Sequence, residues 1–110
     1  MASTKDYLDF VLEQLSTLDE IAFRPMMGEY VLYCRGKVVG GVYDDRLLLR
    51  PTPAALRLMR EAGLELRMEL PYEGAKEMLL ADVDDRETLT RLIEAMYPEL
   101  PEPKNRKKSK

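Results

Sequence analysis

Between Ile21 and Pro51 the chain runs IAFRPMMGEYVLYCRGKVVGGVYDDRLLLRP: four apolar runs separated by turn residues. Connections this short can join only antiparallel neighbours. The runs are Ala22 to Met26, Tyr30 to Cys34, Val38 to Tyr43 and Leu47 to Leu49, punctuated by Gly28, Gly36 and Asp44-Asp45 and closed by Arg50-Pro51. The stretch predicts an antiparallel meander of three to four strands that the rest of the chain must cover. Pro25 lacks a backbone donor, which suits an edge strand or a bulge. Tyr30 to Cys34 has no polar alternation and predicts a strand covered on both faces. Gly40-Gly41 predicts a close approach of a helix to the sheet. A phosphate cradle there would need a helix N-terminus next, whereas Val42 and Tyr43 continue the strand.

The flanking segments carry helical spacing. Ser3 or Thr4 can cap a first helix ending near Leu18, in which Leu8, Val11, Leu12 and Leu15 recur at i, i+3, i+4 and i+7. Thr52-Pro53 starts a second helix over 53–62, with Gly63 in the C-terminal cap position. Leu64, Leu66, Met68 and Leu70 alternate with charged residues, as in a half-buried strand or an extended loop. Pro71 to Gly74 is a turn and Lys76 to Ala81 a short strand. Asp84 and Glu87 then form a capping-box-like start for a last helix with Leu89, Leu92, Ile93 and Met96 on one stripe. The order is helix, three to four strands, helix, two strands, helix. This is an α+β domain over residues 1–98 with helices mainly on one face of the sheet, followed by a flexible basic tail at 99–110, where three prolines and a lysine run oppose packing.

Composition narrows the chemistry. There is no histidine, which excludes the usual zinc sites and every Ser-His or Cys-His nucleophile pair. Cys34 is the single cysteine, so no internal disulfide can form, and its strand position suggests a small core hydrophobe. No window is apolar enough for a membrane span and no secretory signal is present, which points to the cytoplasm. Residues 1–103 hold 12 Lys+Arg against 20 Asp+Glu, a net charge of -8, and so oppose non-specific nucleic-acid binding.

Asp82, Asp84, Asp85 and Glu87 form the densest carboxylate cluster, but helix capping accounts for them better than a metal, and Asp44-Asp45 suits a hairpin turn. Tyr30, Tyr33 and Tyr43 could form a stacking platform, yet their neighbours Glu29, Asp44 and Asp45 are acidic, which favours packing. Arg46, Arg50, Arg57 and Arg60 lie on the last meander strand and the helix after it. They could gather with Arg24 to bind an acidic partner or nucleotide, or be a solvated face with local pairs such as Arg57 with Glu61. No catalytic set, metal site or cofactor motif emerges.

Arg24, Met26, Gly28, Leu32 and Tyr33, followed by Gly36-Lys37-Val38, Asp44-Asp45 and Pro51-Thr52, resemble the N-terminal domain of the TfoX/Sxy competence regulators. So do Pro71-Tyr72-Glu73-Gly74-Ala75-Lys76 with Met78, and Tyr7, Phe10, Leu12 and Leu15 in the opening helix. Met27 stands where an aromatic is usual and Val31 where glycine is usual. The resemblance implies a secretion-chaperone-like fold, whose domains often pair through sheet or helix faces, here as a stand-alone first domain. It further implies a small non-enzymatic regulatory or adaptor protein that touches another protein, as relatives assist the cyclic-AMP receptor protein at competence promoters. The expected partners are a protein and a second copy in a homodimer, with no sequence-specific DNA contact and no membrane. A small-ligand or nucleotide module built on the arginines is the alternative.

Overall fold

The computed structural model describes residues 3–102. Four consecutive strands come first in the sheet: β1 (Ile21–Met26), β2 (Glu29–Cys34), β3 (Lys37–Val42) and β4 (Leu47–Leu49). Two-residue turns join them at Met27-Gly28, Arg35-Gly36 and Asp44-Asp45, and all six of these residues have positive φ. Such turns match the right-handed twist of antiparallel strands, so backbone geometry at each corner fixes the register. Tyr43 N–H donates to Arg46 O and Arg46 N–H to Tyr43 O at 2.9 and 3.0 Å, closing the third hairpin around the two aspartates.

Two short strands, β5 (Met68–Glu69) and β6 (Met78–Leu80), complete an antiparallel sheet in the order β1-β2-β3-β4-β6-β5. Residues 64–67 are not strand: of the two forms open to that stretch the chain takes the extended loop, and β6 is shorter than Lys76 to Ala81. Pro25 sits on the edge strand as its missing donor requires.

Strand pairing assigns the two faces. Leu32, Gly40, Leu49 and Leu79 are successive partners across β2, β3, β4 and β6, and Leu32, Leu49 and Leu79 are fully buried. On them pack Leu8, Val11 and Leu15 of the first helical segment, Ala55 and Met59 of the second, and Leu89, Leu92, Ile93 and Met96 of the third, all in one cluster. The helices are α1 (Lys5–Gln14), α2 (Pro53–Glu61) and α3 (Arg86–Met96), and they share that side of the sheet. The fold is α+β with an open antiparallel sheet. Among the described residues no helix is long and apolar enough to cross a membrane.

Local differences from the sequence expectations have local causes. α1 ends at Gln14 instead of near Leu18, and Leu15 and Leu18 reach the core from the turn that follows. The cap of α3 is Asp85 rather than Asp84: its carboxylate accepts from Thr88 N–H and Oγ1, while Asp84 N–H donates to Asp82. Gly40 and Gly41 do not mark a nearby helix. The register shifts between Leu32 and Tyr33, with Val39 as the extra residue of β3, and the two glycines answer close backbone and ring neighbours instead. A Cβ on Gly40 would overlap the Leu48 carbonyl, and one on Gly41 would lie 2.6 Å from both the Tyr30 carbonyl and the Tyr43 ring.

The domain limit expected at 98 falls inside packed chain. A 3-10 turn, Tyr97–Glu99, turns Leu100 back into the core, where it is 4% exposed. Glu99 accepts from Ala54 N–H at 2.9 Å, satisfying a free donor at the start of α2. Lys37, 7% exposed, donates to Tyr97 O at 3.1 Å, lies 4.2 Å above the Tyr97 ring and pairs with Glu102 at 3.7 Å. The basic residues of the expected tail, 104–110, lie outside the described residues.

Candidate functional site

The second face of the sheet carries the alternate residues of the same strands. Pairing aligns Arg24 with Val31, Val31 with Gly41, Gly41 with Leu48 and Leu48 with Leu80, and aligns Ala22 with Tyr33 and Tyr33 with Val38. Among the described residues no helix contributes its buried stripe here, and Val31, Tyr33 and Val38 are only half-buried. At the β1 side Arg24 lies over the Tyr33 ring, 6.0 Å from its centroid. At the β4 side Tyr43 covers Gly41 and meets Tyr72 with ring centroids 6.2 Å apart.

Tyr72 arrives on the loop between β5 and β6, and Arg46 ties that loop down. Its guanidinium pairs with Glu69 at 2.6 Å and donates to Leu70 O at 3.1 Å. Pro71 is buried beside the tether, while Tyr72 and Lys76 are exposed and Gly74 takes a positive φ in the turn. Tyr43 is 6% exposed, and burial raises its phenol above the ordinary value, reinforced by Tyr72, Glu29 and Tyr33.

The residues singled out in the sequence separate into groups. Arg24, Met26 and Tyr33 belong to this face, Leu32 is core and Gly28 is a turn residue. Two of the five arginines stand apart from the others. Arg24 stands three strands from β4, about 14 Å at ordinary strand spacing. Arg46 is consumed by Glu69 and Leu70. Arg50 is exposed at the far end of β4, and Arg57 and Arg60 are exposed on α2, on the helical side. The expected Arg57–Glu61 pair is not among the ion pairs of the described residues.

Two recesses open elsewhere. One of about 410 Å3 lies between α2, β6 and α3 and includes Met59, Leu64, Arg67, Asp82 and Leu89; another of about 480 Å3 lies between α1 and β1. None of the five arginines lines either. Of the tyrosines proposed as a platform, Tyr33 and Tyr43 share the helix-free face, whereas Tyr30 lies on the other and meets Phe23 edge-on at 5.8 Å. The role of Tyr72 beside Tyr43 could not be foreseen from sequence spacing, since 29 positions separate them; the tyrosine in the Pro71 to Lys76 motif was the only signal.

The chain is 37% identical over 109 residues to the uncharacterized 12.7 kDa protein in the trpE 5′ region of Spirochaeta aurantia, covering 97% of this chain and 91% of that protein. The model of the TfoX N-terminal domain matches residues 13–98, which span the whole meander, the Arg46 tether, α2 and α3, but only the last two residues of α1. The chain belongs to the TfoX N-terminal domain family.

Proposed function

We propose that the protein is a small non-enzymatic regulator that works in transcription control, of the competence type known for its family, by docking another protein on the helix-free face of the sheet. The observation that carries this is the position of the family-motif side chains. Arg24, Tyr33 and Tyr72 are spread along one face that no helix among the described residues covers, over a base of the half-buried Val31 and Val38. A cation, tyrosines and half-buried aliphatics on a rigid sheet are the composition of a protein contact surface, where aromatic and arginine anchors dominate binding. The distance of Arg24 from β4 and the engagement of Arg46 by Glu69 and Leu70 weigh against a nucleotide site built on all five arginines.

The test places a photo-crosslinking residue at Val31 or Val38, with Glu13 on α1 as control, in cells that express the protein natively. Crosslinks to one protein from the sheet positions but not from Glu13 are expected. Transcript profiles should change in the same direction in a deletion strain and in an Arg24→Ala/Tyr33→Ala strain. Unchanged transcripts in both, with no sheet-specific crosslink, overturn the reading.

A further inference from the structure

The two edges of the sheet are built differently. β5 is two residues long, flanked by Glu65 and Arg67, and its Glu69 is held by both Arg46 and Arg67. It is a short, charged edge of the kind that discourages pairing. β1 is six residues long and carries Arg24 as its only charge; Phe23 is 40% exposed, and Met27 at its tip is 96% exposed.

Hydrogen-bond parity shows which groups β1 leaves open. The two-residue turn makes Met26 and Glu29 a bonded pair, and Arg35 N–H donates to Glu20 O at 3.0 Å at the other end. Residues 20, 22, 24 and 26 therefore point their backbone groups at β2, while Ile21 and Phe23 point both N–H and C=O outward. Pro25 lies on the outward set, so its missing donor breaks no bond to β2.

We infer that β1 is a self-association edge, on which β1 of a second copy adds antiparallel with Ala22 opposite Ala22 on the two-fold axis. In this register Ile21 of each copy faces Phe23 of the other, and the two pairs exchange four backbone hydrogen bonds. Pro25 falls beyond them. The same register brings Arg24 of one copy alongside Glu20 of the other, the positive-φ turn residue just before β1, twice by symmetry. Moving the register by two to pair Phe23 with Phe23 leaves the Ile21 carbonyl facing the donor-less Pro25 and Arg24 opposite Ala22. The charges, the open donors and the proline thus favour one arrangement. The side chains agree, because Ile21 and Phe23 line the recess of about 480 Å3 with Leu12 and Leu18, and Phe23 of the second copy enters beside Ile21.

A contact of two short strands and one recess lies near or below the roughly 1,200 Å2 at which stable complexes begin, so the dimer is a weak one. This inference does not depend on the proposed regulatory role, since it is read from mass rather than from transcripts. Sedimentation equilibrium of the full chain from about 10 μM to about 1 mM should show the mass rising from 12.7 kDa toward twice that value. Ala22→Lys sets two ammonium groups across the axis and should raise the dissociation constant at least about 100-fold. Its melting temperature should stay that of the parent, because Ala22 is exposed. Arg24→Glu should weaken the dimer about 10-fold and Glu20→Arg/Arg24→Glu should recover it to within about 3-fold. A mass of 12.7 kDa throughout the range overturns the inference and leaves the edge to a strand of another protein. A dimer that survives Ala22→Lys, or a charge swap that recovers nothing, overturns it equally.

Discussion

The two faces of one sheet, built from alternate residues of the same strands, differ in what they tolerate. On the helical side Leu32, Leu49 and Leu79 are enclosed by stripes from α1, α2 and α3 and the side chains form one cluster. On the other side Arg24 lies over Tyr33, Val31, Tyr33 and Val38 are only half-buried, and near β4 a loop brings Tyr72 against Tyr43. The first face holds the fold together. On the second, Leu48 and Tyr43 are buried while Arg24 and Tyr72 are exposed and Tyr33 half-buried, so the motif side chains left open there point to recognition rather than packing.

The difference can be broken at its strongest point by Leu49→Ala, which should cost about 2–5 kcal/mol through lost burial and the cavity left between α2 and the sheet, measured by urea unfolding. Gly40→Ala should follow at roughly 1–3 kcal/mol or more, since the new methyl meets backbone that β4 cannot move without breaking its ladder. A loss below about 0.5 kcal/mol in either would show that the helical face is looser than its packing indicates.

Truncation after Pro98 tests how far the covered face extends. Relative to a chain ending at Glu102 it removes Leu100 and the Glu99 contact to α2, and should lower stability by about 1–3 kcal/mol. Equal melting of the two truncations would return the boundary to 98. On the open face Tyr33→Ala and Arg24→Ala should each cost less than about 1 kcal/mol while abolishing the sheet-specific crosslink. A larger loss would make the motif structural.

The smallest effect concerns pH. Burial raises the phenol pKa of Tyr43 on one face and of Tyr7 on the helical side, in Tyr7 with help from Asp45 and Asp84. A group whose folded pKa is raised stabilises fully below its unfolded value, about 10 for tyrosine, and that contribution is lost as pH rises through the folded value. Melting temperature should therefore decline above about pH 10 for this reason, and Tyr43→Phe should make the decline shallower. An identical alkaline slope in the variant would mean that Tyr43 ionises as freely folded as unfolded.

Much of this architecture was legible because its causes are local. Asp44-Asp45 adopts the positive φ that short acidic turn residues tolerate, Pro25 sits on an edge, Thr52 caps α2 and Cys34 is a buried hydrophobe. Each depends on residues within a few positions. The arginine site was not legible, because whether Arg46 is available depends on Glu69 and Leu70, more than 20 positions away.

The sequence by itself therefore determined the hairpin corners, the helix stripes and caps, and membership of the family, all of which are set by short-range backbone preference and periodicity. Only the tertiary structure decided that all three helices share a face, that β6 inserts between β4 and β5, that Gly40 answers a neighbouring strand, and that Leu100 belongs to the core. These are contacts between segments far apart in the chain, selected by which surfaces can bury one another once the meander exists, and no local pattern encodes that choice.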